Sequence, residues 1–316
     1  MPVQVVCGKK AGPVLFVCAA IHGDELNGVE IIRRLLRIKA LRRIRGTLIA
    51  VPIVNLHGFI DKSRYLPDRR DLNRSFPGSE TGSLASRIAN LFMTEIVSQA
   101  THGIDLHTGA IHRANLPQIR ANLDDEATAE LARAFGTPVI LNAAIRPGTL
   151  RAAATGRVPV LVYEAGEALR LDELAIRGGV NGIVRVMRKL DMLPPSRRRT
   201  TSPEPVIARS SSWVRAPQSG ILRTFARQGE RVKRDETLLG IVSDPYGEHE
   251  YEIRSPFNGI VIGKLNLPLV NEGDAVYHVA RFHRSDIAAD RIEDYHEALE
   301  APDYPYPDDS HTDETV

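Results

Sequence analysis

Two histidines and one glutamate in this chain have the types and spacing to hold a metal ion. His22 and Glu25 share the tight segment Ile21-His22-Gly23-Asp24-Glu25-Leu26, and His107 ends the apolar run in Gly103-Ile104-Asp105-Leu106-His107-Thr108-Gly109. Two imidazoles and a carboxylate make an open Zn²⁺ donor set, because they leave a fourth tetrahedral position for water where structural zinc is closed by a fourth side chain. Any one of the three alone reads as a satisfied loop or core residue. Together they favour one Zn²⁺ per chain. Gly23 lets the backbone come close where the turn must aim two side chains at one point, and Asp24 competes with Glu25 as the carboxylate ligand. His107 also needs its second ring nitrogen held, by Asp105 on the same strand face or by a main-chain carbonyl.

A metal of this kind needs a proton carrier and a means of binding substrate. Glu164, in Val162-Tyr163-Glu164-Ala165-Gly166, follows an apolar run and could take a proton from water and pass it to a leaving amine. A strand-end glutamate by itself is more often a solvated loop residue. In Asp71-Leu72-Asn73-Arg74-Ser75-Phe76, Asn73 and Arg74 set an amide beside a guanidinium, a combination suited to bidentate recognition of a carboxylate. Arg64, Arg69 and Arg70 crowd the same loop, and no more than one of them is expected to face a site.

The elements that must position these residues can be read from hydrophobic periodicity. Strands are expected over residues 14–20, 47–54, 103–107, 138–141 and 159–163, and helices over 26–38, 83–99, 124–135 and 171–190; in the first helix Val29, Ile32 and Leu36 form one stripe. Near-continuous apolar strands alternating with helices predict an α/β fold, a mostly parallel sheet with helices on both faces. Ligands of such sheets bind beyond the carboxyl ends of the strands. His22, His107 and Glu164 each fall just past a predicted strand, so one rim should gather them.

Four segments are expected: a catalytic α/β domain over 1–193, a linker over 194–205, a β-rich domain over 206–285, and an acidic tail over 286–316. The linker is rich in Pro, Ser and Arg and reads as a solvated hinge. The β-rich part contains a weak repeat: Ala216-Pro217-Gln218-Ser219-Gly220-Ile221-Leu222 followed by Gly229-Glu230-Arg231-Val232 is echoed by Ser255-Pro256-Phe257-Asn258-Gly259-Ile260-Val261 followed by Gly273-Asp274-Ala275-Val276. It resembles the biotinyl/lipoyl type of barrel-sandwich hybrid in fold only, because the turn Ser243-Asp244-Pro245-Tyr246-Gly247-Glu248 lacks the lysine that would carry a swinging arm. A short helix is expected over 286–299, followed by a disordered end.

The order His22/Glu25, Asn73/Arg74, His107 and Glu164 resembles the succinylglutamate desuccinylase/aspartoacylase family, relatives of the zinc carboxypeptidases. The resemblance covers the 1–193 region nearly throughout and extends into the β-rich part. It implies a zinc-carboxypeptidase-like catalytic fold, with zinc on His22, Glu25 and His107 in preference to Asp24. Glu164 would act as general base and acid, and Asn73 and Arg74 would bind the substrate's carboxylate or acyl end. The family's further loop arginine matches Arg64, with Arg70 as rival, and would stabilise developing oxyanion charge. Another substrate arginine, in a Leu-Arg pair, matches Arg151 in Leu150-Arg151, with Arg157 as rival. A C-terminal tyrosine that reaches the pocket after an Asn-Glu pair matches Tyr277, which follows Asn271-Glu272 at longer spacing.

Composition limits the alternatives. Lys and Arg number 41 against 39 Asp and Glu, a formal net charge of +2, so the total charge points neither to nucleic acid nor to an anionic membrane. Acid is concentrated from Asp286 onward, which leaves the body before it basic; part of that excess should line a pocket for a carboxylate substrate. Cys7 and Cys18 read as reduced core residues, and with neither an export signal nor a membrane-length apolar run the expected location is the cytoplasm. The leading reading is a zinc-dependent amidohydrolase that removes an acyl group from a small N-acyl amino acid, with a homo-oligomer plausible for the family. A metallocarboxypeptidase acting on short peptides would use the same parts. A non-catalytic zinc-binding interaction protein is the third reading, and the full set of site residues argues against it.

Overall fold

The computed structural model describes residues 1–195, 205–283 and 285–300. Its first part runs β1 (Gln4–Cys7), β2 (Lys10–Ala19), α1 (Asn27–Leu35), β3 (Arg45–Val51), α2 (Leu56–Ile60), α3 (Leu84–Glu95), β4 (His102–Gly109), β5 (Arg113–Ala121), α4 (Glu126–Phe135), β6 (Val139–Asn142), α5 (Leu150–Ala154), β7 (Val160–Glu167) and α6 (Glu173–Lys189). The second part runs β8 (Val206–Ala208), β9 (Ser210–Arg215), β10 (Gly220–Thr224), β11 (Arg231–Val232), β12 (Leu238–Ser243), β13 (Glu250–Arg254), β14 (Gly259–Leu265), β15 (Leu269–Val270), β16 (Ala275–Arg281) and α7 (Ser285–Glu300).

Strand β2 shows why an unbroken apolar run forms a central strand. Leu15, Val17 and Ala19 face a core built with α1, α4 and α6, while Phe16 and Cys18 face a second core built with α3 and α5. Both faces are covered, so alternation disappears from the sequence. The large sheet has the order β1-β3-β2-β4-β7-β5-β14-β16-β9. Its centre, β3-β2-β4-β7, is parallel. From β7 outward it turns antiparallel, through β5, β14, β16 and β9, and β1 is an antiparallel edge. The expectation of a mostly parallel sheet therefore holds for the centre and for the β5-β6-β8 branch, which is also parallel, and not for the other flanking strands.

Strand β5 was not anticipated. Its sequence, Arg113-Ala114-Asn115-Leu116-Pro117-Gln118-Ile119-Arg120-Ala121, interleaves polar side chains and a proline with few apolar ones. Because β5 runs opposite to β7, its amino end lies at the rim reached by the carboxyl ends of β4 and β7, with Asn115 opposite Gly166. The same end of β5 pairs with β14, and β6 pairs with β8, so the sheet continues across the 194–205 boundary. A core of Leu116, Val139, Leu141, Ala208, Ile260 and Ile262 is shared across that junction. The repeat halves divide between two sheets: β10 and β15 pair with each other in a four-stranded sheet, whereas β11 and β14 pair in the large one.

Helix α7 spans the segment where a helix was expected. Most of the linker and the chain after residue 300 lie outside the described residues. Among the described residues no helix is long and apolar enough to cross a membrane. Cys18 is buried, but Cys7 is exposed on the edge strand β1 and is not the core residue its apolar neighbours suggested.

Candidate active site

Strand β2 lies between β3 and β4, so the chain leaves β2 in a direction opposite to the next strand pair and opens a crevice at the carboxyl rim. The turn after β2 begins with Ala20 in left-handed backbone (φ 51°) and carries His22 and Glu25 into that crevice. Gly23 makes this possible: a Cβ there would lie 1.9 Å from the carbonyl carbon of Gly58. The opposing backbone is fixed by Asn55, whose side chain accepts from the Gly58 N–H at 2.8 Å as the cap of α2.

Ligand atoms of His22, Glu25 and His107 all lie within 4.8 Å of one another. His22 Nδ1 is 2.7 Å from Glu25 Oε1, and His107 Nδ1 is 2.7 Å from Glu25 Oε2. The outer nitrogens are held by carboxylates, His22 Nε2 at 3.1 Å from Asp71 and His107 Nε2 at 2.8 Å from Asp105. Cys18 Sγ in turn contacts Asp105 Oδ1 at 3.4 Å. Each imidazole thus turns the same nitrogen inward while an acid orients the ring from behind, the arrangement that fits a carboxylate–histidine–metal centre. Asp24, the rival ligand, is buried but is not part of this cluster, and its Oδ1 has no hydrogen-bond partner.

Charge is strongly coupled here. Burial pulls the His22 and His107 pKa values down, but Glu25, with Asp71 at His22 and Asp105 at His107, more than reverses this, so both are raised. Burial raises the pKa of Glu25 and Asp71, yet the imidazoles (and Arg64 at Asp71) hold both well below the usual carboxylate range. The cradle is therefore a place where two imidazoles and a carboxylate compete for positive charge, as a divalent ion's ligands must.

Of the loop arginines, Arg64 faces the site: Nη2 donates to Asp71 Oδ2 at 3.0 Å and Nη1 to Glu25 Oε1 at 3.4 Å. Arg69 and Arg70 are exposed. Asn73 lies at the cavity but its Oδ1 accepts from Leu150 N–H at 2.9 Å, which anchors the start of α5. Arg74 is exposed at the cavity edge and donates to the Asn73 carbonyl. Arg151, on α5, lines the cavity and donates from Nη2 to the carbonyls of Ala143 and Ala144, whereas Arg157 is exposed elsewhere.

Glu164 is the register partner of His107 on adjacent parallel strands. Its side chain is 19% exposed, so solvent and ligand can reach it. Asn115 Nδ2 donates to Oε2 at 2.7 Å, and Arg120 Nε lies 3.2 Å from Oε1 as an ion contact without hydrogen-bond geometry.

Tyr277 is a correction. It is fully buried in the core of the β-rich part, its hydroxyl donates to the Leu239 carbonyl at 2.7 Å, and burial raises its pKa to about 12. Its place on the inner face of β16 points it away from the cavity, and the longer spacing after Asn271-Glu272 is consistent with that. The β-rich part reaches the cavity instead through Ser210, Ser211 and Trp213 of β9. Trp213 stacks on His278 (centroids 4.7 Å apart), and Arg113 lies over its ring. Asp71 behind His22, Asn115 and Arg120 beside Glu164, and Arg113, Arg146 and Trp213 on the wall were all missed. Asp71 was visible in its motif, whereas the β5 residues were hidden with their strand.

The cavity measures about 500 Å³, a volume for a small molecule. An α/β sheet carrying a His-Glu-His cradle at its carboxyl rim, with a glutamate one strand over, defines the class of fold and site. The chain belongs to the succinylglutamate desuccinylase/aspartoacylase family, whose catalytic-domain profile matches residues 11–190. It is 32% identical over 144 residues to an N-alpha-acetyl-L-2,4-diaminobutyric acid deacetylase of Halomonas elongata, an alignment that covers 44% of this chain and 42% of that protein. The chain thus spans under half the length of that curated relative. Among solved structures, a succinylglutamate desuccinylase/aspartoacylase from Rhodobacter sphaeroides superposes with a TM-score of 0.80 at 25% identity, covering 89% of each chain. A product-bound ectoine utilization protein from Ruegeria pomeroyi gives 0.80 and 25%, covering 88% of each.

Proposed function

We propose that this protein is a metal-dependent amidohydrolase, with Zn²⁺ as its ion, that removes the acyl group from a small N-acyl amino acid. The observation that carries the reading is the pair of inward-facing imidazoles on one carboxylate, directly across a strand register from Glu164. A divalent ion held by His22, Glu25 and His107 supplies Lewis acidity and makes water a nucleophile near neutral pH. Asp71 and Asp105 keep the two imidazoles in the orientation and tautomer that ligation needs. Glu164 accepts a proton from the attacking water and delivers it to the departing nitrogen, and Asn115 fixes the carboxylate for both transfers. Arg64 places positive charge where the amide oxygen becomes an oxyanion. Asn73, Arg74 and Arg151 bind the substrate's carboxylate. In this reading residues 1–193 are the catalytic unit, and 206–285 wall its cavity.

Peptidase action is the weaker reading because β9 closes one side of the cavity, which suits a small acyl compound better than a peptide. The test is hydrolysis of N-acetyl, N-succinyl and N-formyl amino acids and of short peptides by the zinc-loaded protein. Release of free amino acid from at least one acyl compound, with peptides inert, is expected. Cleavage of peptides alone would replace this reading with the carboxypeptidase one.

A further inference from the structure

The hydrogen bond that aims Glu164 comes from Asn115. Among the described residues Asn115 is the one whose side chain donates to that carboxylate, while the Arg120 ion pair supplies charge at 3.2 Å without hydrogen-bond geometry. A carboxylate only accepts, so the carboxamide must turn Nδ2 to Glu164 and Oδ1 the other way. On that other side stands Gly263 of β14, the register partner of Asn115. Asn115 is buried, and its register partner on β7 is a glycine too, Gly166, so neither neighbouring strand sets a side chain beside it.

The bareness of Gly263 is specific. A Cβ there would lie 2.9 Å from Asn115 Oδ1, nearer than to the Ala114 carbonyl oxygen or His278 Cβ, each 3.3 Å away. A methyl group would therefore meet the carboxamide first. Gly259, at the start of the same strand, differs: a Cβ there would strike the Ala280 carbonyl oxygen, so that glycine answers to backbone packing. Gly263 also closes a register shift of β14 against β16, and such bulges re-aim side chains beside active sites. The surrounding backbone is tied down. Residues 113–115 of β5 pair with 263–265 of β14, and Gln228 Nε2 donates to the Ala114 carbonyl at 2.7 Å. Beyond Gly263 in the same row comes His278, buried and stacked on Trp213.

We infer that Gly263 is a positioning residue for the proton carrier: by carrying no side chain it keeps the place of the Asn115 carboxamide, whose Nδ2 then aims Glu164. The β-rich part thus does more than wall the cavity. Through β14 it sets the orientation of a carboxylate on the far side of β5. The inference rests on the deacylase reading for the role of Glu164, and on geometry alone for the placement of Asn115.

The test is a double-mutant cycle of Asn115→Ala and Gly263→Ala in the zinc-loaded protein, with the N-acyl amino acid it cleaves fastest. Gly263→Ala should keep its metal and its KM and lose about 10- to 100-fold in kcat, the factor of one hydrogen bond to a charged group. Asn115→Ala should lose as much. Adding Gly263→Ala to it should cost nothing further, because the methyl group acts through the carboxamide. Equal losses from Gly263→Ala in both backgrounds, a loss carried by KM, or no loss at all would overturn the inference. Should Gly263→Ala not fold, the double variant decides: without Oδ1 it should fold, and failure there too would show that the backbone refuses the methyl group and overturn the inference. A second readout needs no turnover. In protein carrying isotope-labelled asparagine, the NMR resonance of the Asn115 carboxamide, identified by its loss in Asn115→Ala, should move in Glu164→Ala and in Gly263→Ala alike. A resonance unmoved in Gly263→Ala would overturn the inference. If no acyl compound is cleaved, the deacylase reading fails, and this resonance decides whether Gly263 places Asn115.

Discussion

Glu25 receives both inner imidazole nitrogens on one carboxylate, and each outer nitrogen has an acid of its own, so the proposed metal centre would depend on two groups that are not themselves among its ligands. Replacing Asp71 or Asp105 by Asn should weaken metal affinity by roughly 10–100-fold while the fold persists, as loss of such supporting carboxylates does elsewhere. Chelator competition would measure it, and unchanged affinity would remove the supporting role. Glu164 stands in a different position, across the register from His107 and reachable by solvent. Glu164→Gln should keep the metal and lose about 10²–10⁴ in kcat, the range for a lost general base or acid. Elemental analysis beside steady-state kinetics separates that outcome from simple loss of the ion. Because the His22 and His107 pKa values are raised when only protons compete for them, ion binding displaces protons, and affinity should climb as pH rises through neutrality.

The turn after β2 and the strand β5 mark what the elements reveal and conceal. Gly23 packs on the Gly58 backbone, so Gly23→Ala must push the His22–Glu25 turn away from α2. It should cost roughly 1–3 kcal/mol in urea unfolding and lower metal affinity as well, the usual scale of overpacking; stability and affinity equal to those of the unaltered protein would mean that the turn is not clamped there. The parallel centre of the sheet was legible because β2, β3, β4 and β7 are buried on both faces and read as apolar runs. The residues at their ends followed directly, His22, His107 and Glu164, whereas the choice of Glu25 over Asp24 came only from the family resemblance. Strand β5 was illegible for the opposite reason. Arg113, Asn115 and Arg120 line the cavity, so residues that shape the pocket are among those that erase the strand's periodicity. Tyr277 misled because the match rested on an Asn-Glu pair at longer spacing, whereas its position on β16 belongs to the core of the β-rich part.

At the scale of the whole molecule, the β-rich part is joined to the α/β part by shared strands and a shared core, and Trp213 and His278 carry that junction to the cavity wall. His278 is buried beside Arg120 and Arg146, and its pKa is lowered to about 3. Between its unfolded value near 6.5 and about 3, the unfolded chain therefore binds a proton that the folded chain refuses, and stability falls as pH falls through that window. His278→Phe keeps the stack on Trp213 and removes the proton, so between pH 6.5 and 4.5 its stability should decline less steeply, by up to about 1.4 kcal/mol per pH unit. Parallel slopes in urea titrations would show that His278 titrates normally.

The central claim concerns one ion held by His22, Glu25 and His107. Metal content per chain in the purified protein, compared with that of His107→Ala by mass spectrometry of the elements, addresses it most directly. The account predicts one divalent ion, zinc foremost, per chain and its loss in the variant; protein without stoichiometric metal, or a variant that retains it, would contradict the account.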